Sequence, residues 1–146
     1  MEIIEEAIKQ LRTSRVEDII AQGYLNFEVP IIEELVEQYR FLTMRYDIVV
    51  TNPPYMGSNG MEAKLSKYVK KFYPNTKSDL FAVFMDVSSK KTKNYGYYAM
   101  INQQSWMFLI SYEKLREVIL KDKTIINMVH TGARTFPEIG GEVVQN

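Results

Sequence analysis

The stretch Tyr46-Asp47-Ile48-Val49-Val50-Thr51-Asn52-Pro53-Pro54-Tyr55 joins a β-branched run directly to two adjacent prolines. Tyr46–Thr51 reads as a buried strand, because β-branched side chains suit a pleated surface and continuous apolar runs mark strands covered on both faces. Pro53 and Pro54 end it abruptly, since neither has an N–H to give to a ladder. Gly57, Ser58, Asn59 and Gly60 continue as a loop. Beyond it, Leu65, Tyr68, Val69 and Phe72 recur at helical spacing over about 62–72, and Pro74 breaks that helix. A second helix is expected from about Ser78 to Lys91, with Leu80, Phe81, Phe84 and Val87 inward. Tyr97–Ile101 reads as a second strand. Ser111 suits the cap of a helix bearing Tyr112, Leu115, Val118 and Ile119. Thr124–Val129 reads as a third strand, Gly132 to Gly141 as a loop, and Val143-Val144 as the start of a fourth strand. Strands alternating with helices imply an α/β fold with a mainly parallel sheet.

Upstream of Tyr46 the period is helical. Ile3, Ile4, Ala7, Ile8 and Leu11 form one stripe. Ser14-Arg15-Val16-Glu17 fits a capping box that opens a second helix, for which Gly23 is a stop. Pro30 suits the first turn of a third, with Ile32, Leu35, Val36, Tyr39 and Leu42 on one face. The expected organisation is therefore a helical segment over 1–45 and an α/β segment over 46–146.

Composition narrows the function classes. With 146 residues, 46% hydrophobic and 25% charged, the chain has an ordinary globular make-up. No apolar run approaches the ~20 residues of a membrane span. The acidic start Met1-Glu2-Ile3-Ile4-Glu5-Glu6 is unlike a signal or transit peptide, so the expected location is the cytoplasm. Zero cysteines and one histidine, His130, leave no thiolate zinc site, no cysteine nucleophile and no histidine-rich metal centre. His130 itself reads as a structural hydrogen-bonding residue at a strand end. The net charge of zero conceals an asymmetry: residues 1–47 carry ten acids and five bases, while 61–93 hold eight lysines against three acids. Lys64, Lys67, Lys70 and Lys71 lie at helical spacing, as either a solvated face or a track for phosphates.

Asn52-Pro53-Pro54-Tyr55 carries the chemistry. The crevice beyond the carboxyl ends of parallel strands is where α/β proteins bind ligands, and this tetrapeptide follows a strand at once. An exocyclic amine on an aromatic ring is a poor nucleophile, because its lone pair is delocalised. Two acceptors gripping its two N–H groups favour a pyramidal nitrogen and free that pair. The Asn52 side-chain oxygen is one such acceptor. The Pro53 carbonyl is the other, in a turn stiffened by the fixed φ of Pro53 and Pro54. Tyr55 offers a flat face on which a base stacks.

Asp47 through Tyr55 resembles motif IV of the S-adenosylmethionine-dependent amino-methyltransferases, above all the adenine-N6 DNA methyltransferases. Met56-Gly57-Ser58, Lys77 through Met85, Gly96 through Gln103, Ser105-Trp106-Met107-Phe108 and the ending from His130 through Gly132-Ala133-Arg134 to Gly140-Gly141-Glu142-Val143-Val144-Gln145 narrow the match. Together they resemble the PglX-type adenine methyltransferases of BREX phage-resistance systems. The resemblance covers about 46–146. It implies transfer of a methyl group from S-adenosylmethionine to adenine N6 in double-stranded DNA, on a base flipped out of the helix. Asn52, Pro53, Pro54 and Tyr55 take the catalytic positions, and Asn52 and Pro53 also border the donor. Phe136, in Thr135-Phe136-Pro137, falls where related enzymes hold an aromatic against the other face of the flipped adenine. Other defence-system proteins are implied as partners.

One departure bears on the fold. Donor-binding domains of this kind open with a strand and a G-x-G turn. The 146 residues contain no G-x-G, and residues 1–45 hold one glycine, Gly23. The expected fold class is thus a partial class I, Rossmann-like methyltransferase lacking its donor-binding half, a fragment of a longer enzyme that is inactive alone. Its exposed sheet edge implies self-association or cover by the N-terminal helices. The same tetrapeptide also serves methyltransferases acting on protein glutamine or RNA guanine, and a non-catalytic DNA- or partner-binding fragment is the alternative from another class.

Overall fold

The computed structural model describes residues 2–13 and 19–130, which divide between Met44 and Arg45 into two units. The first unit holds helix α1 (Glu2–Thr13) and helix α2 (Ile19–Thr43). Arg12 Nε donates to Glu33 at 2.8 Å, and Arg40 meets Glu5 at 3.2 Å. Later residues of one helix thus meet earlier residues of the other, so the pair runs antiparallel. Such exposed pairs contribute little each.

The helix count here differs from the sequence expectation. Gly23 does not stop a helix and Pro30 does not start one; both lie inside α2. A Cβ at Gly23 would meet nothing within 4 Å, so no turn requires glycine there. Pro30 removes one backbone bond but leaves the helical frame on both sides intact. The capping box at 14–17 lies outside the described residues.

In the second unit the order is β1 (Tyr46–Thr51), α3 (Ala63–Phe72), α4 (Leu80–Lys91), β2 (Thr92–Met100) and α5 (Glu113–Asp122). The two strands pair in parallel, Ile48 beside Tyr97 and Thr51 beside Met100. α3 and α4 lie between them in sequence, as a parallel connection requires. The second strand starts five residues earlier than its apolar pattern, because the ladder is irregular at its amino end. Tyr46 pairs with Thr92 but Ile48 with Tyr97. The surplus residues form a bulge in which Tyr95 has φ 64°. Gly96 fits it closely: a Cβ there would stand 2.6 Å from the Asp47 carbonyl oxygen and 2.8 Å from Thr92 Cγ2.

One face of the sheet packs on helices. Phe81, Ala82 and Met85 of α4 form a core with Tyr112, Leu115 and Ile119, and Met100, Tyr55 and Trp106 close over it. A second cluster, Met61, Val69, Leu80 and Val83, joins α3 to α4. Among the described residues the other face of the sheet is exposed. Ile48 is 66% exposed, Val50 74% and Tyr97 58%, so β1 is not the doubly buried strand its composition suggests.

Two further expectations fail among the described residues. Thr124–Val129 forms no strand. Among the described residues no strand pairs with it, and Ile126, Met128 and Val129 are exposed. Ser111 caps no helix either: it lies within a 3₁₀ turn, Ile110–Tyr112, and α5 follows Tyr112 without a side-chain cap. The 132–141 loop and Val143-Val144 lie outside the described residues. The fold shown is therefore a small α/β unit on a two-stranded parallel sheet.

Candidate functional site

β1 and β2 end together, and the chain beyond each forms one corner. Pro53 is buried under this corner, Asn52 and Pro54 are exposed, and Tyr55 is half-buried. The Tyr55 hydroxyl donates to the carbonyl oxygen of Ile101, just past β2, at 2.8 Å. The same hydroxyl lies 3.4 Å from Asn52 Oδ1. A phenol has one proton, and the shorter contact takes it. The acceptor capacity of Asn52 Oδ1 therefore remains open. The Tyr55 and Phe81 rings meet in a T-shaped arrangement, with centroids 6.4 Å apart and planes at 69°. The Tyr55 ring is thus anchored to the core.

The loop's exit is held from 23 residues away. Asp79 is buried and is the N-cap of α4. Its Oδ1 accepts from the Phe81 N–H at 3.1 Å and from the Met56 N–H at 3.0 Å. Backbone bonds reinforce the join, with Leu80 N donating to Met56 O at 3.0 Å and Ser58 N to Ser78 O at 2.9 Å. The Ser-Asp pair ahead of an apolar helix is a legible capping signal. What the sequence conceals is that the cap also clamps the Asn52–Tyr55 loop. Tyr112 packs beside this clamp, its ring 5.6 Å from Phe81. Burial, aided by the Asp79 charge, pushes its hydroxyl up to about 12.

The segment after β2 is pinned likewise. Arg116 Nη1 of α5 donates to the carbonyls of Trp106 at 2.8 Å and Leu109 at 2.7 Å. Asn102 brings a buried side-chain oxygen that no donor of the described residues engages. An unsatisfied buried acceptor is costly, so Asn102, next to Ile101 at the corner, is a candidate site residue that the sequence reading did not name. His130 Nε2 lies 2.9 Å from Gln104 Oε1, the expected hydrogen bond, though not at the end of a strand. Trp106 packs on the core. Phe136 lies outside the described residues. No group of three or more histidine, cysteine, aspartate or glutamate side chains gathers as a metal site among the described residues.

Asn52, Pro53, Pro54 and Tyr55 thus form a tethered corner at which the Asn52 amide oxygen is open to a further donor. For a methyl donor such as S-adenosylmethionine, the residues fit only in part. The open Asn52 oxygen and the orphaned Asn102 oxygen suit the edge facing a reacting amine. No glycine cradle for the rest of the donor occurs in the chain.

A family model described as Eco57I restriction-modification methylase matches residues 2–136. The chain is 53% identical over 110 residues to the adenine-specific methyltransferase BrxX of Escherichia coli O9:H4 (strain HS), covering 75% of this chain and 9% of that protein. It is 53% identical over 114 residues to the adenine-specific methyltransferase PglX of Lacticaseibacillus casei (strain Zhang), covering 78% of this chain and 9% of that protein. The chain thus spans less than a tenth of the length of the curated relatives it matches.

Proposed function

The chain belongs to the Eco57I restriction-modification methylase family, and from that membership we propose that its second unit is the amine-gripping part of an adenine-N6 DNA methyltransferase. The open acceptor of Asn52 carries the reading. A flipped adenine presents its N6 to the corner. Asn52 Oδ1 accepts one N–H and the Pro53 carbonyl the other, which draws the nitrogen out of conjugation. Pro54 stiffens the turn, and the Tyr55 ring lies against the base. Phe136 takes its other face.

S-adenosylmethionine, when bound, supplies the electrophilic methyl group. Asn52 and Pro53 border it on the amine side. The donor-binding half of a class I fold belongs beside the edge of β1 that faces away from β2, with a second copy of the chain as the other occupant. In this reading 1–45 is a helical approach segment and 46–146 the catalytic-loop half. The whole protein works in the cytoplasm, in phage defence or restriction-modification beside other defence-system proteins. The relatives' names, both adenine-specific methyltransferases, favour adenine over glutamine or guanine. No helix among the described residues is long and apolar enough to cross a membrane.

Asn52→Ala in the complete enzyme tests this. Losing a positioned transition-state acceptor is comparable to losing an oxyanion-hole donor, on the order of 10²–10³ in rate. Methylation in single turnover falls by that factor while DNA affinity holds. A near-normal rate would refute the gripping role.

A further inference from the structure

We propose that α3 docks on the sugar-phosphate backbone of the DNA that the site acts on; this rests on the DNA-methyltransferase reading. Leu65, Val69 and Tyr73 turn inward, Val69 fully buried against the α3–α4 cluster. Lys64, Lys67, Lys70 and Lys71 are all exposed. At 100° per residue they occupy one arc of about 120° opposite the buried stripe. No salt bridge forms at any of the four among the described residues, whereas Lys90 and Lys93 each have a carboxylate partner.

Helix stability does not account for this arc. Lys70 and Lys71 complement the negative end of the helix, but Lys64 sits in the first turn, where a cation is unfavourable and where no acid stands. Four like charges within eight residues also repel one another. A polyanion removes that repulsion, and its condensed counterions are released as well. Beside the arc, Tyr68 and Phe72 are each half-exposed and tilted against one another at 44°, with centroids 4.7 Å apart, and Lys71 Nζ lies over the Phe72 ring, 5.0 Å from its centroid. An aromatic surface bordering lysines suits a nucleic-acid strand better than a small anion. Placement agrees: α3 begins eight residues after Tyr55, and its fold-back onto α4 is fixed by the same segment that clamps the corner. Interactions here are with phosphate and carry no sequence preference.

The test is binding of the 146-residue chain to a duplex of arbitrary sequence, followed across a salt series. The wild-type chain binds, with affinity falling as salt rises. Replacing Lys64, Lys67, Lys70 and Lys71 together by glutamine lowers the log–log slope by roughly 0.9 for each phosphate no longer neutralised, about three to four in all. Replacing all four by arginine preserves the slope. An unchanged slope in the glutamine variant, or no binding by the wild-type chain at low salt, overturns the proposal. Asn52→Ala leaves the slope unaltered, so the two readings fail separately. A slope that depends on α3 in an enzyme that methylates no adenine retains the docking helix and removes the catalytic reading.

Discussion

The two ends of the same pair of strands, one regular and one bulged, are stabilised by different physics. At the carboxyl end, polar groups are tied by bonds to Asp79 and Ile101, over a core that includes Phe81 and Tyr112. At the amino end, a bulge places Tyr95 fully exposed with φ 64°. There the links are a glycine with no room to spare and an ion pair in solvent, Lys93 Nζ to Asp47 Oδ2 at 2.9 Å. A left-handed conformation in a bulky residue costs about 1 kcal/mol or more. At the carboxyl end the Asp79 bonds to Phe81 and Met56 are buried or partly buried, while the Tyr55–Ile101 bond is exposed. The amino end relies on steric fit. The candidate corner lies at the end tied by long-range polar bonds.

The sharpest way to break this contrast is at Asp79. Asp79→Ala removes a helix cap and strands the Met56 N–H, and should cost about 2–4 kcal/mol in urea unfolding. Asp79→Asn keeps an acceptor oxygen and should recover most of it. A loss under about 1 kcal/mol in the alanine variant would show that the clamp contributes little. Next comes Gly96→Ala, whose new methyl meets the Asp47 carbonyl. Overpacking of this kind costs about 1–3 kcal/mol, and a neutral result would mean the bulge yields freely. Tyr55→Phe deletes the bond to Ile101 and should cost about 1 kcal/mol. The smallest effect belongs to the amino end. Lys93, by its hydrogen bond and then its charge, lowers the pKa of Asp47. A depressed carboxylate contributes stability above its unfolded pKa and loses it as pH falls through the folded one. The pair is exposed, so an Asp47→Asn, Lys93→Gln double-mutant cycle should show a coupling near zero in about 0.5 M salt at neutral pH. A large coupling there would erase the distinction between the two ends.

How far the sequence revealed each part follows the same division. β1, α3 and α4 were legible because their residues carry local periods, and Pro53, Pro54 and Pro74 punctuate them. The tetrapeptide stood out in the sequence because the chemistry proposed for it is written in consecutive residues. Thr124–Val129 has strand composition, yet a strand also needs a neighbour, which composition does not supply. Pro30 reads locally as a helix start, but the turns around it continue through. The double role of Asp79 and the orphaned oxygen of Asn102 depend on where distant segments meet, and no short-range signal encodes that.

The corner's dependence on distant residues also orders its assembly in time. Asn52–Tyr55 leaves the ribosome before either of its tethers exists. Asp79 follows Met56 by 23 residues and Ile101 follows Tyr55 by 46. Closing the longer of those loops is entropically dearer than closing the shorter, though only by a logarithm of length. The tetrapeptide that reads as the most local feature of the chain thus takes its tethered shape only once Ile101 is made, and nascent chains that stop short of β2 carry the motif without its geometry.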